Sequence, residues 1–218
     1  MLAASCIGSR PTLLPSGPVP DGLGVNIHFT TPQPGEMKML AEGGFTWIRM
    51  DFDWNQVEYE KGKYRFTAYD TLMTALEEHR IRPIFILDYV HRLYDDAQSP
   101  HTEEGIAAFA RFAAASARHF AGRGILWEMY NEPNITPFWR PTVNVQDYIR
   151  LATATGKAIR AAAPNEAYIG PATSTFDWAF LEECFKGGLL ELWDAVSVHP
   201  YRPMPPETVI PDYARLRS

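Results

Sequence analysis

Cysteine is scarce in this sequence, which has two among its 218 residues, Cys6 and Cys184. Cys6 lies near the amino terminus and Cys184 lies in a segment predicted to be helical, so we expect no structural disulfide. The cysteine spacing suits no metal site, and the six histidines include no HExxH or similar pair. We therefore expect neither a bound metal ion nor another cofactor.

Three other features are missing, and each argues against a class of protein. The sequence has no basic run, and 20 Lys and Arg against 26 Asp and Glu give a net charge of −6, so we expect no nucleic-acid partner. No apolar stretch reaches the length of a membrane span. No GxGxxG or other phosphate-binding loop follows the first predicted strand, which argues against a nucleotide-binding sheet.

Residues 1–22 are rich in proline, glycine and serine and show no periodicity. They are predicted to form a flexible leader before a single domain at residues 23–218. Residues 2–6 are similar to the end of a bacterial lipoprotein signal, but the charged and apolar regions that should precede it are missing. The localisation therefore stays open between the bacterial cytoplasm and export, since a disordered tail or an expression scar explains the segment equally well.

From Gly24 onward, short apolar strands alternate with helices. Strands are predicted at residues 24–29, 45–50, 82–87, 125–130, 167–171 and 195–199, and helices at 35–41, 68–79, 103–120, 145–163 and 176–186. This alternation implies parallel strands joined by right-handed crossovers, as in a doubly wound sheet or a (β/α) barrel. Polar and aromatic residues cluster at the carboxyl ends of the strands, where barrels carry their chemistry. We therefore predict an α/β fold of the TIM-type (β/α) barrel class, incomplete because six of the eight strand–helix units are present.

The residues at the predicted strand ends share a capacity for directional hydrogen bonding. They are His28, Arg49, Asp51, Asp88, Tyr89, Asn131, Glu132, Thr173 or Ser174, His199 and Tyr201. Each hydroxyl of a sugar needs placed donors and acceptors, and planar guanidinium and carboxylate groups supply them in pairs. Any one of these residues could be a satisfied polar residue of the core, but a whole ring at one mouth is hard to explain by packing. The sequence therefore predicts a carbohydrate as the partner.

One segment carries a family resemblance. Trp127-Glu128-Met129-Tyr130-Asn131-Glu132-Pro133-Asn134 resembles the fourth-strand signature of clan A glycoside hydrolases, and within that clan it is most similar to family 39 and family 5 enzymes. Residues 49–54, with Glu58 and residues 62–66, resemble the second-strand segment of the same enzymes, and residues 198–201 resemble their sixth strand. The resemblance covers about residues 24 to 203.

The resemblance implies a role for five residues. Glu132 would be the general acid/base, Asn131 would bind the sugar 2-hydroxyl, and Arg49 would support the nucleophile. His199 and Tyr201 would line the donor-sugar subsite. Apart from any family, glycoside cleavage needs one carboxylic acid to protonate the leaving oxygen and a second carboxylate to stabilise or trap the oxocarbenium-like centre. The implied activity is hydrolysis of O-glycosidic bonds of β-linked sugars.

Other polar and aromatic residues have two interpretations each. Glu128 shares the side of the strand that carries Glu132 but lies deeper, so we expect a structural hydrogen-bonding role. Trp139, in the loop after Glu132, is either a stacking platform for a sugar or part of the loop packing. Asp88 and Tyr89 end the third predicted strand, where a sugar contact is expected.

The match to clan A breaks at the catalytic nucleophile, which in those enzymes is a second glutamate at the end of the seventh strand. No seventh strand is predicted here, and the last acidic residues, Glu207 and Asp212, lie in a segment that leads into a helix near Tyr213. Three explanations stay open: a truncated enzyme, a natural short form completed by another copy, or a catalytically silent carbohydrate-binding remnant. The unpaired edges of the first and sixth strands predict a homodimer or a higher homo-oligomer.

Overall fold

The computed structural model describes residues 14–15 and 21–218, so Cys6 and most of the expected leader lie outside the described residues. The strands are β1 Gly24–Asn26, β2 Trp47–Asp53, β3 Glu58–Glu60, β4 Lys63–Tyr64, β5 Arg82–Asp88, β6 Leu126–Met129, β7 Ala167–Ser174 and β8 Ala195–His199. The helices are α1 Glu36–Glu42, α2 Trp54–Val57, α3 Thr67–Glu78, α4 Glu103–His119, α5 Val145–Ala162, α6 Trp178–Lys186 and α7 Ile210–Arg217. Short 3-10 turns lie at Asp95–Ala97, Leu189–Glu191 and Pro206–Val209.

Six of the strands form one curled parallel sheet in the order β1-β2-β5-β6-β7-β8. Helices alternate with these strands, and the architecture is that of an incomplete TIM barrel. The predicted fold class is therefore confirmed. β3 and β4 pair antiparallel as a hairpin after the second strand of the sheet. None of the helices in the described part of the chain is long and apolar enough to cross a membrane.

The local sequence explains where the two longest helices begin. Thr102 precedes α4 and its hydroxyl accepts a hydrogen bond from the Gly105 backbone amide at 3.1 Å. Asn144 precedes α5, and its side-chain oxygen accepts from the amides of Gln146 and Asp147. A side-chain oxygen at this position satisfies amides that have no partner within the helix.

The main core lies between the sheet and its helices. Phe52 is at its centre, with ring centroids 5.3 Å from Phe85 and from Trp127, and all three side chains are fully buried. A smaller apolar cluster lies on the inner, concave face of the sheet and includes Trp47 and Leu126. Leu14 packs against this inner cluster, whereas the sequence predicted a flexible leader there.

Two strands run further than the sequence pattern indicated. β2 ends at Asp53 rather than at residue 50, and β7 ends at Ser174 rather than at residue 171. The extension of β2 follows from its pairing with β5, which continues in register to Asp53 opposite Asp88. Strand pairing is a tertiary interaction, and it keeps polar residues extended that a local pattern assigns to loops.

Candidate active site

The carboxyl ends of the parallel strands surround a pocket of about 430 Å³. Its lining residues are Asn26, His28, Arg49, Asp51, Tyr89, Asn131, Glu132, Phe138, His199 and Tyr201. Eight of these ten were named from the sequence, and they come from five different strands or the loops that follow them. Parallel strands end at the same edge of a sheet, so polar residues that are far apart in the chain meet there. We call this space the central pocket.

Glu132 and His199 form the closest polar contact between two residues that both line the central pocket. The two side chains are 67 residues apart in the chain, and the Nδ1 atom of His199 lies 2.7 Å from Oε1 of Glu132. Glu132 is only 7% exposed, and its backbone amide donates to the carbonyl oxygen of Ala172 at 3.0 Å. The histidine thus occupies one carboxyl oxygen and leaves the other, Oε2, to face a ligand.

The backbone that presents Glu132 is strained. Glu132 has a φ of +45° and Tyr130 a φ of +68°, both in the left-handed region that residues with a side chain rarely adopt. Such conformations cost of order 1–3 kcal/mol each and persist where the surrounding contacts enforce them. Part of that enforcement comes from Asn134, whose amide nitrogen donates to the Ser174 carbonyl at 3.0 Å and whose oxygen accepts from the Ser174 amide at 2.8 Å. This pair of bonds ties the loop after β6 to the end of β7.

Arg49, which also lines the central pocket, makes hydrogen bonds to two neighbouring side chains. Its Nε atom donates to Oε2 of Glu128 at 2.6 Å, and its terminal nitrogen donates to Oδ1 of Asn131 at 2.9 Å. Glu128 is 3% exposed, so its role is structural, as its deeper position indicated. Because the Asn131 oxygen is already used, the amide nitrogen of Asn131 is the group that remains to donate to a ligand hydroxyl. Among the described residues the partners of Arg49 are therefore Glu128 and Asn131.

Asp88 does not line the central pocket, in contrast to the sugar contact expected from the sequence. Its side chain is fully buried, and neither carboxyl oxygen accepts a hydrogen bond from a donor in the described part of the chain. The carboxylates whose charges act on it are those of Asp51 and Asp53. Burial first, and then the charges of Asp51 and Asp53, raise the pKa of Asp88 well above its usual value.

Trp139 is also absent from the lining of the central pocket. Its side chain is 2% exposed and packs against the rings of Tyr130 and Tyr148, at centroid distances of 5.2 and 5.8 Å. A stacking platform needs a free ring face, which Trp139 lacks. The aromatic wall is formed instead by Tyr89 and Phe138, whose rings stack at 5.7 Å with an angle of 19°. Two lining residues, Phe138 and Asn26, were not predicted from the sequence. Phe138 is an aromatic residue in a proline-rich loop and Asn26 precedes the predicted end of its strand, and neither position carries a distinctive pattern.

Thr173 and Ser174, one of which was expected at the pocket, support it instead of lining it. Thr173 is fully buried and its hydroxyl donates to the Thr175 carbonyl at 2.9 Å, while Ser174 holds Asn134. Cys184 is buried and unbonded. In residues 14–15 and 21–218, no group of three or more His, Cys, Asp or Glu side chains is placed to hold a metal ion.

A half-barrel of parallel strands with a polar pocket at their carboxyl ends is the architecture of enzymes of the (β/α) barrel class. The comparison with family models agrees, since residues 37–209 match the model of the glycosyl hydrolases family 39. The match spans most of the chain. The chain belongs to glycosyl hydrolase family 39.

Relatives of known structure carry the same architecture. The family 39 β-xylosidase of Caulobacter crescentus is 25% identical with a TM-score of 0.70, over 90% of this chain and 49% of that one. The family 39 enzyme of Xanthomonas axonopodis pv. citri is 27% identical with a TM-score of 0.64, over 82% and 40% of the two chains. A curated relative, the α-L-iduronidase of Canis lupus familiaris, is 26% identical over 62% of this chain and 24% of its own length. The chain thus spans about a quarter of that relative and less than half of these structural neighbours.

Proposed function

We propose that the chain supplies the acid/base side of a retaining glycosidase that hydrolyses O-glycosidic bonds of β-linked sugars, with Glu132 as the proton donor. The observation that carries the proposal is the contact of His199 with Oε1 of Glu132 at 2.7 Å, in a pocket at the strand ends. In the tautomer that carries its proton on Nδ1, His199 donates to Oε1. The proton of the carboxylic acid then sits on Oε2, which faces the leaving-group oxygen.

The remaining central-pocket residues would hold the sugar. Asn131 has its amide nitrogen free to donate to a hydroxyl, and contacts of this type that tighten in the transition state contribute several kcal/mol. Asp51 and His28 would bind further hydroxyls on the side of β1 and β2. Tyr89 and Tyr201 would bound the sugar on opposite sides of the mouth.

The second carboxylate of a double displacement has to come from another part of the barrel. Among the described residues, the carboxylates that line the central pocket are Glu132 and Asp51, and Asp51 lies on β2, which β5 separates from β6, the strand before Glu132. In a retaining enzyme the nucleophile lies about 5–5.5 Å from the acid/base and attacks the opposite side of the anomeric carbon. We propose that a strand added beyond β8 carries this group in the complete enzyme.

The decisive experiment compares Glu132→Gln with wild type on aryl β-xylosides, β-glucosides and β-galactosides, each made with a good and a poor leaving group. Loss of a general acid should lower kcat/KM for the poor leaving group by about 10²–10⁴-fold and spare the good one. A purely structural defect would lower both equally. Glu191→Gln, an exposed glutamate on the short turn before β8, is the matched control. Activity that Glu132→Gln leaves untouched would eliminate Glu132 as the acid.

The second candidate function is a catalytically silent carbohydrate-binding protein. It is favoured by the pocket itself, which offers sugar-binding groups in the described strands but no lining carboxylate from β5 or β7, the strands on either side of β6. If wild type hydrolyses none of the aryl glycosides, yet the same sugars raise its melting temperature, this candidate replaces the first.

We further propose that the chain self-associates through the edges of the half-barrel. Within the part of the chain that the structure describes, β1 and β8 each pair with one strand, and every residue of β8 is partly exposed. Unpaired edges present free N–H and C=O groups that can pair with another chain. Size-exclusion chromatography with light scattering should report a dimer or larger species, and a clean monomer of 24.6 kDa would reject the proposal.

A further inference from the structure

A second cleft lies beside the central pocket. Its volume is about 410 Å³. It is lined by Asp53, Asn55, Tyr89, Val90, Arg92, Ala97, Pro137, Phe138 and Arg140. Tyr89 and Phe138 line both spaces, so their stacked rings form a wall common to the two. We call this second space the arginine cleft.

The arginine cleft lies on the side to which a leaving group would extend. Phe138 and Pro137 belong to the loop that directly follows Glu132, the proposed proton donor. A proton donor faces the oxygen of the leaving group, so the space bordered by its own loop receives the part of the substrate beyond the scissile bond. The two rings of this wall are only partly buried, and they suit a sugar because aromatic side chains offer large, rigid, amphipathic contact area.

Arg92 is held in place by neutral groups. One terminal nitrogen donates to the side-chain and backbone oxygens of Asn55 at 2.9 and 3.2 Å, and the other donates to the Tyr59 carbonyl at 2.8 Å. These bonds orient the guanidinium group, and no ion pair with a carboxylate of the described residues neutralises it.

The backbone of Arg140 is held by hydrogen bonds, whereas its side chain has no hydrogen-bond partner among the described residues. Its amide donates to the Ser99 hydroxyl at 2.8 Å and its carbonyl accepts from the Ser99 amide at 3.1 Å. Ser99 also contacts the Tyr130 hydroxyl at 3.1 Å, so Arg140 is anchored to the residues behind the central pocket. The side chain of Arg140 is exposed and, among residues 14–15 and 21–218, makes no hydrogen bond or ion pair.

The charge of the cleft is opposite to that of the whole chain. The two guanidinium groups face one carboxylate, Asp53, whose oxygens accept from the backbone and side-chain nitrogens of Gln56 at 3.1 and 3.4 Å. The local excess is therefore positive in a chain whose net charge is −6. The central pocket, by contrast, has its one lining arginine, Arg49, paired with Glu128.

We propose that the arginine cleft binds an anionic group, a carboxylate or a sulfate, on the leaving-group part of a glycan substrate. This inference rests on the proposed glycosidase function for its orientation, and it assigns the negative charge to the leaving group rather than to the sugar in the central pocket. Planar guanidinium groups bind carboxylate and sulfate oxygens in pairs, which gives both affinity and orientation.

The test measures ligand binding by calorimetry, with Glu132→Gln as the background so that no ligand is consumed. The probes are β-glycosides with a 4-carboxyphenyl or a 4-sulfophenyl aglycone, each paired with its neutral 4-carbamoylphenyl or 4-sulfamoylphenyl counterpart. At low salt the anionic member should bind roughly two- to five-fold more tightly, as expected for a solvent-accessible charge pair. The preference should shrink at about 0.5 M salt because the charges are then screened. The two acids separate a carboxylate site from a sulfate site.

Arg140→Gln should reduce the preference for the anionic member and leave the affinity of the neutral member unchanged, because Arg140 has no structural contact to lose through its side chain. Arg92→Lys keeps the positive charge but loses the planar guanidinium group that donates two parallel hydrogen bonds. It should therefore weaken carboxylate binding with little effect on folding. Arg118→Gln, an exposed arginine in the last turn of α4, is the control and should change nothing.

Two outcomes overturn the inference: equal binding of charged and neutral probes by the Arg140-intact protein, including no binding at all, or a preference that survives Arg140→Gln together with Arg92→Gln. The proposed function fails separately. If the protein prefers anionic probes but shows no Glu132-dependent hydrolysis, the proposed glycosidase function is rejected and anion binding by the arginine cleft is retained. If it shows Glu132-dependent hydrolysis but no preference for anionic probes, anion binding is rejected and the glycosidase function is retained.

Discussion

Replacing the buried Asp88 with asparagine should change how the stability of the protein depends on pH. In the folded chain the pKa of Asp88 is raised well above its usual value, by burial first and by the charges of Asp51 and Asp53 after that. In the unfolded chain the same carboxyl group titrates near pH ~3.9. The folded state therefore holds a proton on Asp88 across a pH window in which the unfolded state has released it.

The sign of the effect follows from this difference in bound protons. The contribution of Asp88 to stability is fully present below about pH 4 and is lost as the pH rises through the folded-state pKa. A difference of one bound proton corresponds to a slope of about 1.4 kcal/mol per pH unit, which is the upper limit for a single group. An asparagine side chain has nearly the same size and shape as a protonated carboxyl side chain, and it carries no charge at any pH.

Asp88→Asn should therefore match wild type near pH ~4 and become progressively more stable than wild type as the pH rises. Urea unfolding followed by tryptophan fluorescence, at steps from about pH 4 to about pH 8, gives both profiles. Asp96→Asn is the matched control, because Asp96 is exposed and has a φ of +51°, a conformation that asparagine tolerates. Parallel profiles for Asp88→Asn and wild type would refute the reasoning.

Two further substitutions test the packing around the site. Glu58→Ala should lower the free energy of unfolding by roughly 2–6 kcal/mol, because it leaves the two buried donors on Trp54 and Tyr94 without their acceptor at about 1–3 kcal/mol each. Urea unfolding checks this, and a loss below about 1 kcal/mol would mean that water replaces the carboxylate. Gly156→Ala should destabilise by about 1–2 kcal/mol despite the better helix propensity of alanine, because the new Cβ would lie 2.7 Å from the fixed ring of Tyr168. A gain in melting temperature for Gly156→Ala would show that the ring can move.

The central pocket was largely predictable because its residues follow strands that the local pattern identifies. Alternating apolar strands and helices imply parallel pairing, and parallel pairing brings the strand ends to one edge whatever lies between them. His28, Asp51 and His199 could therefore be named together from the sequence. Phe138 could not, because it lies in an irregular loop whose path depends on the Asn134 and Ser99 hydrogen bonds.

The pattern of apolar residues and the Asn131–Glu132 segment determined the fold class, the family and the side of the sheet that carries the site. Only the tertiary structure decided which polar side chains meet. It paired Arg49 with Glu128, 79 residues away, and His199 with Glu132, 67 residues away. It also buried Asp88, for which a sugar contact was expected, and Trp139, for which a sugar contact and loop packing both stayed open, and it left the side chain of Arg140 without a partner among the described residues. The physical reason is that apolar periodicity is read within one element, whereas burial, charge pairing and pKa depend on neighbours that only strand register and loop packing bring into contact.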